Sequence, residues 1–325
     1  IKNITYPRFQ LNGKVIIQNI DKLDIYVNQL SEFQNETYNF IIAMVKKKYE
    51  KKINFDNQDR FGYTILQRPL EALNISYPHS GGLENLTEND IKYLVGTNGL
   101  KSVMKYTEKV TPPTKKNFEY KSDKFGKIFS PENIGKYSSK IKKICDNILN
   151  SEGIVLVYSQ YIDGGIVPIA LALESIGITR YGTKSQSFFK TSQTDPIDAI
   201  TMKKRQDNEG EFNPAKYAII SGDVAISPDN LYEIKAITNE SNKEGKNVKV
   251  IIISKAGAEG LDLKNIRQVH LMDPWYNLNL TEQTIGRAVR NKSHCMLPFS
   301  KRNVEIYLYG SLLNNGYEAV DLYIY

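Results

Sequence analysis

Short apolar runs alternate with amphipathic stretches from about residue 137 to residue 309. Continuous apolar runs predict buried parallel strands, and the clearest is IVLVY at 154–158. Segments that are mostly apolar predict further strands at 217–221, 248–253, 266–272 and 304–309. Apolar residues at helical spacing predict helices between them, at 137–150, 164–176, 229–239 and from about 279. Strands and helices in this order, joined by right-handed crossovers, form a mostly parallel sheet with helices on both faces. The pattern therefore predicts an α/β fold.

The first part of the chain does not show this alternation, and for residues 1–130 we predict a mainly helical or irregular extension. Its last part, 107–131, is polar, rich in lysine and contains a Pro-Pro pair, which is typical of a linker. The α/β domain then covers residues 131–325. A polar, irregular insertion interrupts it at about 183–214, and long segments of this kind are usually functional or mobile.

Small and polar residues follow the strand predicted at 248–253. The turn reads SKAGAEGLDL and covers residues 254–263. Ligands bind at the carboxyl ends of strands in open α/β sheets. Here Ser254 offers a hydroxyl, the glycines expose backbone N–H groups, and Asp262 is placed to accept a hydrogen bond from a ribose hydroxyl. The turn is therefore a candidate contact for a nucleotide.

Polar residues share one face of the helix that begins near Asn279, a residue suited to cap it. Gln283, Arg287 and Arg290 follow at i, i+4 and i+7, within about 60° of one another around the helix. The opposite face is apolar and predicts core contacts, through Ile285, Ala288 and Val289. Gly286 leaves room for another surface beside the polar face. Two guanidinium groups next to that space suit a chain of phosphates.

SKAGAEGLDL, followed one strand later by EQTIGRAVR at 282–290, resembles motifs V and VI of superfamily 2 helicases and translocases. The continuation NKSHCMLPFSKRNVEIYLY resembles the helicases of large nucleocytoplasmic DNA viruses, of the poxvirus early-transcription and nucleoside-triphosphatase type. GIVLVYSQY at 153–161 is similar to the first strand of the second helicase domain, with motif IV at Ser159 and Gln160. The resemblance covers about residues 137–309 and implies a RecA-like lobe.

In this family two lobes clamp ATP between them. The resemblance implies that a neighbouring first lobe carries the P-loop and the carboxylates that bind Mg²⁺. GTNGLKS at 96–102 does not supply that loop, because Val95 and Leu100 stand where a P-loop needs glycine. The present lobe is then expected to supply arginine fingers, Arg290 first and Arg287 second, while Gln283 orients the phosphate or the attacking water.

The resemblance also implies two sets of binding residues. Contacts with the nucleotide are implied for Gly260, Asp262 and Gly286. Contacts with the nucleic acid are implied for Ser159, Gln160, Ser254 and Lys255. For Ser159, plain capping of the following helix is an equal alternative.

The composition of the chain favours a polyanionic partner. The formal net charge is +7 and the pI is about 9.0, which favours nucleic acid. Cys145 and Cys295 lie far apart, and the three histidines show no metal-ligand spacing, so we expect neither a disulfide framework nor a metal site in this lobe. No apolar run approaches the ~20 residues that span a bilayer, and we expect no membrane partner. The chain starts without Met or a signal pattern, so we expect it to be part of something longer.

These features predict the C-terminal half of an ATP-dependent helicase or translocase, which uses ATP with Mg²⁺ and is inactive without its first lobe. The expected partners are nucleic acid, with DNA preferred to RNA, the N-terminal RecA-like lobe of the same protein, and the viral RNA polymerase. The expected location is the host cytoplasm, in viral factories, and the virion. The main alternative is a non-catalytic RecA-like scaffold of a transcription factor that binds DNA or polymerase, with Arg287 and Arg290 in structural pairs. A third is an unrelated phosphate-binding α/β protein.

Overall fold

The computed structural model describes residues 2–5, 8–9, 15–16, 25–49, 58–106, 117–182, 187–257, 260–274 and 278–324. Parts of the predicted linker (107–116) and insertion (183–186), and Ala258 and Glu259 of the SKAGAEGLDL turn, lie outside the described residues.

The strands are, in chain order, β1 (Lys2–Thr5), β2 (Arg8–Phe9), β3 (Val15–Ile16), β4 (Tyr26–Gln29), β5 (Met104–Lys105), β6 (Glu119–Tyr120), β7 (Ile154–Tyr158), β8 (Thr179–Arg180), β9 (Lys216–Ile220), β10 (Val250–Ile253), β11 (Ile266–Leu271) and β12 (Asn303–Leu312). The helices are α1 (Glu32–Tyr49), α2 (Gln58–Asn74), α3 (Gly96–Val103), α4 (Ser122–Phe125), α5 (Ile134–Tyr137), α6 (Ser139–Leu149), α7 (Val167–Ser175), α8 (Asn230–Thr238), α9 (Leu278–Ala288) and α10 (Val320–Ile324).

The predicted strands form one sheet. Its order is β1-β12-β11-β7-β10-β9-β8, and β4 pairs with the last part of β12. Every pair in this sheet is parallel except β1 with β12. The predicted α/β fold with a mostly parallel sheet is therefore confirmed.

The central strand β7 is buried at all five positions because helices cover both faces of the sheet. Successive side chains of a strand point to opposite faces. Val155 and Val157 accordingly join one core with α6 and α7, while Ile154 and Leu156 join a second core that contains Ala288 of α9. Burial on both faces explains why the strand reads as an unbroken apolar run. The architecture is that of a RecA-like lobe.

The extension packs into the same core as the α/β domain. Tyr77, Phe118 and Phe129 are at most 1% exposed and belong to the cluster that contains Val155. The sheet itself also receives β4 from this region. The core therefore does not divide at residue 130. Each of these aromatic residues is isolated in a short or irregular segment. Their burial therefore cannot be predicted from a periodic pattern.

The insertion is irregular, as predicted, but part of it is buried. Phe188 is 2% exposed, and its carbonyl accepts a hydrogen bond of 2.7 Å from the backbone N–H of Phe118, so the insertion pairs with the predicted linker. Asp198 is 2% exposed and closes a loop of the insertion. It accepts hydrogen bonds from the backbone N–H groups of Ile200, Thr201 and Asn213. The segment is thus anchored to the fold through its apolar residues and one aspartate.

Candidate nucleotide and nucleic-acid site

The turn after β10 lies against the end of β9. Ser254 is 5% exposed, and its Oγ accepts a hydrogen bond of 3.1 Å from the backbone N–H of Gly257. A Cβ on Gly257 would lie 1.9 Å from the carbonyl oxygen of Ile220, so only glycine fits there. Lys255 is exposed. Of the two predicted nucleic-acid contacts on this turn, Ser254 shapes the turn and Lys255 lies on its surface.

The helix α9 carries Arg287 but ends before Arg290. It begins at Leu278, so Asn279 lies inside the first turn and not at the cap. It ends at Ala288, two residues before Arg290. Ser293 marks this end, because its Oγ donates to the Ala288 carbonyl at 3.2 Å and accepts from the Arg290 N–H at 3.3 Å. Arg290 therefore lies in the turn after α9, outside the helix itself.

The apolar face predicted for α9 packs into the core. Ala288 is fully buried, and Ile285 and Val289 pack against the same core. On the other side Gln283 is exposed. A Cβ on Gly286 would meet no described atom within 4 Å, so the predicted open space beside the polar face is present.

Both arginines reach back to the SKAGAEGLDL turn. Arg287 Nη1 donates to the carbonyl of Leu261 at 3.1 Å. Arg290 Nη1 lies 3.0 Å from Asp262 Oδ1, and its Nε donates to the carbonyl of Gly286 at 3.1 Å. The residues that resemble motif V and motif VI are therefore brought together at the carboxyl edge of the sheet.

The ion pair between Arg290 and Asp262 is exposed to solvent, with side chains that are 45% and 59% accessible. Pairs of this kind contribute about 0–1 kcal/mol, so Arg290 is free to leave Asp262 for a stronger anion. In the present structure Asp262 holds this arginine, and its contact with a ribose stays a prediction. Gly260 turns the chain just before it with φ of +74°, a conformation that favours glycine.

The two motif IV residues differ in accessibility. Ser159 is fully buried, and its Oγ donates to Asp273 Oδ1 at 2.5 Å. Its side chain is therefore turned into the fold in this structure, and a contact of Ser159 with nucleic acid stays a prediction. Ser159 does not cap a helix, because Tyr161 is the N-cap of the helical segment that follows and makes no side-chain cap bond. Gln160 is partly exposed and donates from Nε2 to the carbonyl of Pro274 at 3.1 Å.

Sequence reasoning missed Asp273, the acceptor of the Ser159 hydrogen bond. It follows the predicted strand at 266–272 directly and is 2% exposed. An acidic residue immediately after a buried strand was the available signal, since polar residues at strand ends in such sheets lie near the ligand edge. Its partner Asn74, from the extension, carried no signal.

The described residues also show where the histidines and the GTNGLKS segment lie. Within the described ranges, no group of three or more His, Cys, Asp or Glu is placed to hold a metal ion. His270 and His294 are buried, and burial lowers the pKa of both imidazoles. GTNGLKS begins α3 and forms no phosphate loop. Among the helices that the structure describes, none combines the length and apolar character of a bilayer crossing.

The chain is similar in sequence to several known proteins. The family described as "Helicase conserved C-terminal domain" matches residues 230–292, which include the SKAGAEGLDL turn and α9. A "Putative ATP-dependent RNA helicase" of Acanthamoeba polyphaga mimivirus is 31% identical over 188 residues, 58% of this chain and 32% of that protein. Two African swine fever virus proteins also match. The "Termination factor NPH-I homolog" is 30% identical and covers 54% of this chain and 26% of its own length. The "Early transcription factor large subunit homolog" is 30% identical, and the match covers 56% of this chain and 16% of that protein.

The fold, the meeting of the two motifs and the family match over residues 230–292 make this chain similar to the C-terminal domain of superfamily 2 helicases. Within that class the chain is similar to helicases and transcription-related proteins of large DNA viruses. The chain spans about a third or less of the length of these curated relatives.

Proposed function

We propose that this domain is the second lobe of an ATP-dependent nucleic-acid helicase or translocase and that it supplies Arg290 and Arg287 to the nucleotide. The observation that carries the proposal is the placement of both guanidinium groups on the turn that contains Leu261 and Asp262, at the ligand edge of the sheet. Arginine in this position neutralises charge on a transferring phosphoryl group, an effect of about 10³–10⁵ in rate in other nucleoside triphosphatases. A first RecA-like lobe would hold ATP and Mg²⁺, and the metal would neutralise the phosphate oxygens.

The exposed ion pair explains how Arg290 would be stored between turnovers. Asp262 holds the guanidinium near the site, and a phosphate group with more negative charge would displace it. Arg287 is anchored by the Leu261 carbonyl through Nη1, which leaves its other N–H groups for the phosphate. Gln283, exposed on the same face, would orient the phosphate or the attacking water. The space beside Gly286 and Gly260 would receive the nucleotide.

The nucleic acid would cross the same edge at Lys255 and Gln160. Lys255 is exposed on its turn, and Gln160 borders solvent at the end of β7. Contacts of this kind go to the backbone, so binding would depend strongly on salt and weakly on sequence. We propose DNA before RNA as the substrate, and transcription or genome processing by a large DNA virus as the process. The viral RNA polymerase is then a partner, and the viral factory of the host cytoplasm and the virion are the locations.

Replacing Arg290 by alanine tests the proposal in the complete protein. We expect turnover of ATP to fall about 10³-fold or more, with little change in the KM for ATP, because the lost interaction belongs to the transition state. Arg205→Ala is the matched control, since Arg205 is an exposed arginine of the insertion. The chain described here is expected to hydrolyse no ATP by itself. Unchanged turnover in Arg290→Ala would overturn the assignment.

One observation favours a second candidate. Arg290 is already paired with Asp262, as a non-catalytic scaffold of a transcription factor would require, and one relative carries the name of an early transcription factor subunit. On that reading the lobe only binds DNA or polymerase. The two candidates separate in the same experiment, because a scaffold protein would show no nucleic-acid-stimulated ATPase activity for Arg290→Ala to remove.

A further inference from the structure

Asp273 accepts three hydrogen bonds, which come from two separate parts of the chain. Its Oδ1 accepts from Ser159 Oγ at 2.5 Å and from Asn74 Nδ2 at 2.9 Å. Its Oδ2 accepts from the backbone N–H of Gln160 at 2.9 Å. Burial, the largest influence, raises the pKa of this carboxyl, and the three donors oppose that effect. Every donor that surrounds the carboxyl group thus favours its ionised form.

The contacts around Asp273 tie the motif IV turn to the segment that leads to α9. Gln160 is held at both its backbone and its side chain, because its Nε2 also donates to the carbonyl of Pro274. On the other side Lys140 Nζ donates to the carbonyl of Met272 at 2.9 Å and lies 3.5 Å from Asn74 Oδ1. The residues on either side of Asp273 are therefore fixed in the same network.

Burying a carboxyl group costs free energy unless its three hydrogen-bond donors stay in place. Removing one partner of such a group leaves a donor unpaired away from water, which costs more than the bond itself contributed. The arrangement therefore permits one position of the Gln160 backbone relative to β11. A plain apolar residue at 273 would fill the volume but leave that position undefined.

We propose that Asp273 is a positioning residue for nucleic-acid binding, which fixes the Gln160 turn at the ligand edge in register with the segment that enters the arginine helix. Asn74 of the extension completes its set of donors. The inference rests on the proposed function, since it takes Gln160 as a contact with the nucleic acid. It gives the extension a role in the site that motif resemblance alone does not provide.

Asp273→Asn in the complete protein is the first test. The new amide cannot accept from both Gln160 and Asn74, because one of its two ends is now a donor. We expect the nucleic-acid concentration that gives half-maximal ATPase stimulation to rise about tenfold, as one hydrogen bond to a charged group is lost. Turnover without nucleic acid is measured in parallel, as a separate readout of Arg287 and Arg290, whose contacts do not involve residue 273. Ser159→Ala should give a smaller rise in the same direction.

A double variant that combines Asn74→Asp with Asp273→Asn tests whether nucleic-acid stimulation can be restored. In this double variant the amide at 273 accepts from the Gln160 N–H and donates to the carboxylate at 74, which lies beside Lys140. We expect the half-stimulating concentration to return to within about threefold of the wild type. Rescue by exchanging two groups is a result that a general loss of stability does not produce.

Asp198→Asn is the matched control. Asp198 is equally buried and accepts several backbone hydrogen bonds, but it lies in the insertion. It should lower the urea midpoint of unfolding and leave the half-stimulating concentration unchanged. The positioning role is overturned if Asp273→Asn and Ser159→Ala leave that concentration unchanged, if Asp198→Asn raises it equally, or if the exchange restores stability alone. Arg290→Ala, measured in parallel, shows separately whether the proposed function holds, and a wild type without stimulated turnover overturns both.

Discussion

Replacing Asp321 by asparagine removes one charge from a fully buried ion pair. Asp321 of α10 and Lys140 of α6 are both 0% exposed, and Asp321 Oδ2 lies 2.6 Å from Lys140 Nζ. Asp321 also accepts hydrogen bonds from Ser311, from the backbone N–H at 3.0 Å and from Oγ at 2.7 Å. The pair therefore joins the last helix to the sheet and to α6. Its loss is expected to lower the free energy of unfolding substantially.

The loss of free energy of unfolding depends on which charged or polar groups each variant leaves unpaired. Removing one partner of a buried ion pair costs about 3–5 kcal/mol. Asp321→Asn keeps the volume, and Lys140 keeps the Met272 carbonyl, so we expect about 3 kcal/mol, the lower end of that range. Lys140→Met also leaves the Met272 carbonyl without this donor, which adds about 1–3 kcal/mol. The combination of Lys140→Met with Asp321→Leu removes both charges and should cost less than the sum of the single variants.

Urea unfolding followed by circular dichroism measures these differences. Asp146→Asn is the control, because Asp146 pairs with Lys142 on the same helix α6 but both side chains are more than a third exposed. We expect that variant to change the free energy of unfolding by less than about 0.5 kcal/mol. If Asp321→Asn costs no more than Asp146→Asn, or if the double variant loses the full sum, the buried pair does not stabilise the fold as argued.

Two further predictions concern pH and the motif V turn. Burial lowers the pKa of His270 to about 3, so the unfolded state is protonated before the folded state as the pH falls. The contribution of neutral His270 to the free energy of unfolding is therefore complete above pH 6.5 and is lost as the pH falls toward 3. Between pH 7 and 5.5 this loss is about 1 kcal/mol, and His270→Gln should remove it; an identical pH dependence of urea unfolding in both proteins would contradict the assignment. Gly257→Ala should lower the melting temperature, because its Cβ would overlap the Ile220 carbonyl, whereas Gly286→Ala should raise stability by about 0.5–1 kcal/mol in an open helical position. Equal effects of the two glycine substitutions would refute the argument.

The sequence alone determined the local elements of this protein. Burial of a parallel strand on both faces favours a continuous apolar run, so β7 and β10 could be predicted directly from the sequence. The sequence of β11 is only partly apolar, and its strand was predicted from its place after the polar turn. The faces of α9 followed from helical spacing in the same way, and the Ala288 side is indeed the buried one. The polar composition of the SKAGAEGLDL turn and its place after a strand were enough to predict which edge of the sheet would bind a ligand.

Contacts between distant residues were decided only by the tertiary structure. Ser159 and Asp273 are 114 positions apart, and they meet because β7 and β11 are neighbours in the sheet. No local period encodes that neighbourhood, so the burial of Ser159 was not predictable and neither was the role of Asn74. The end of α9 before Arg290 depends on Ser293, whose hydroxyl was not singled out by spacing. Periodicity reports which side of an element is buried, whereas the sheet order, which fixes the partners, is set by the packing of the whole chain.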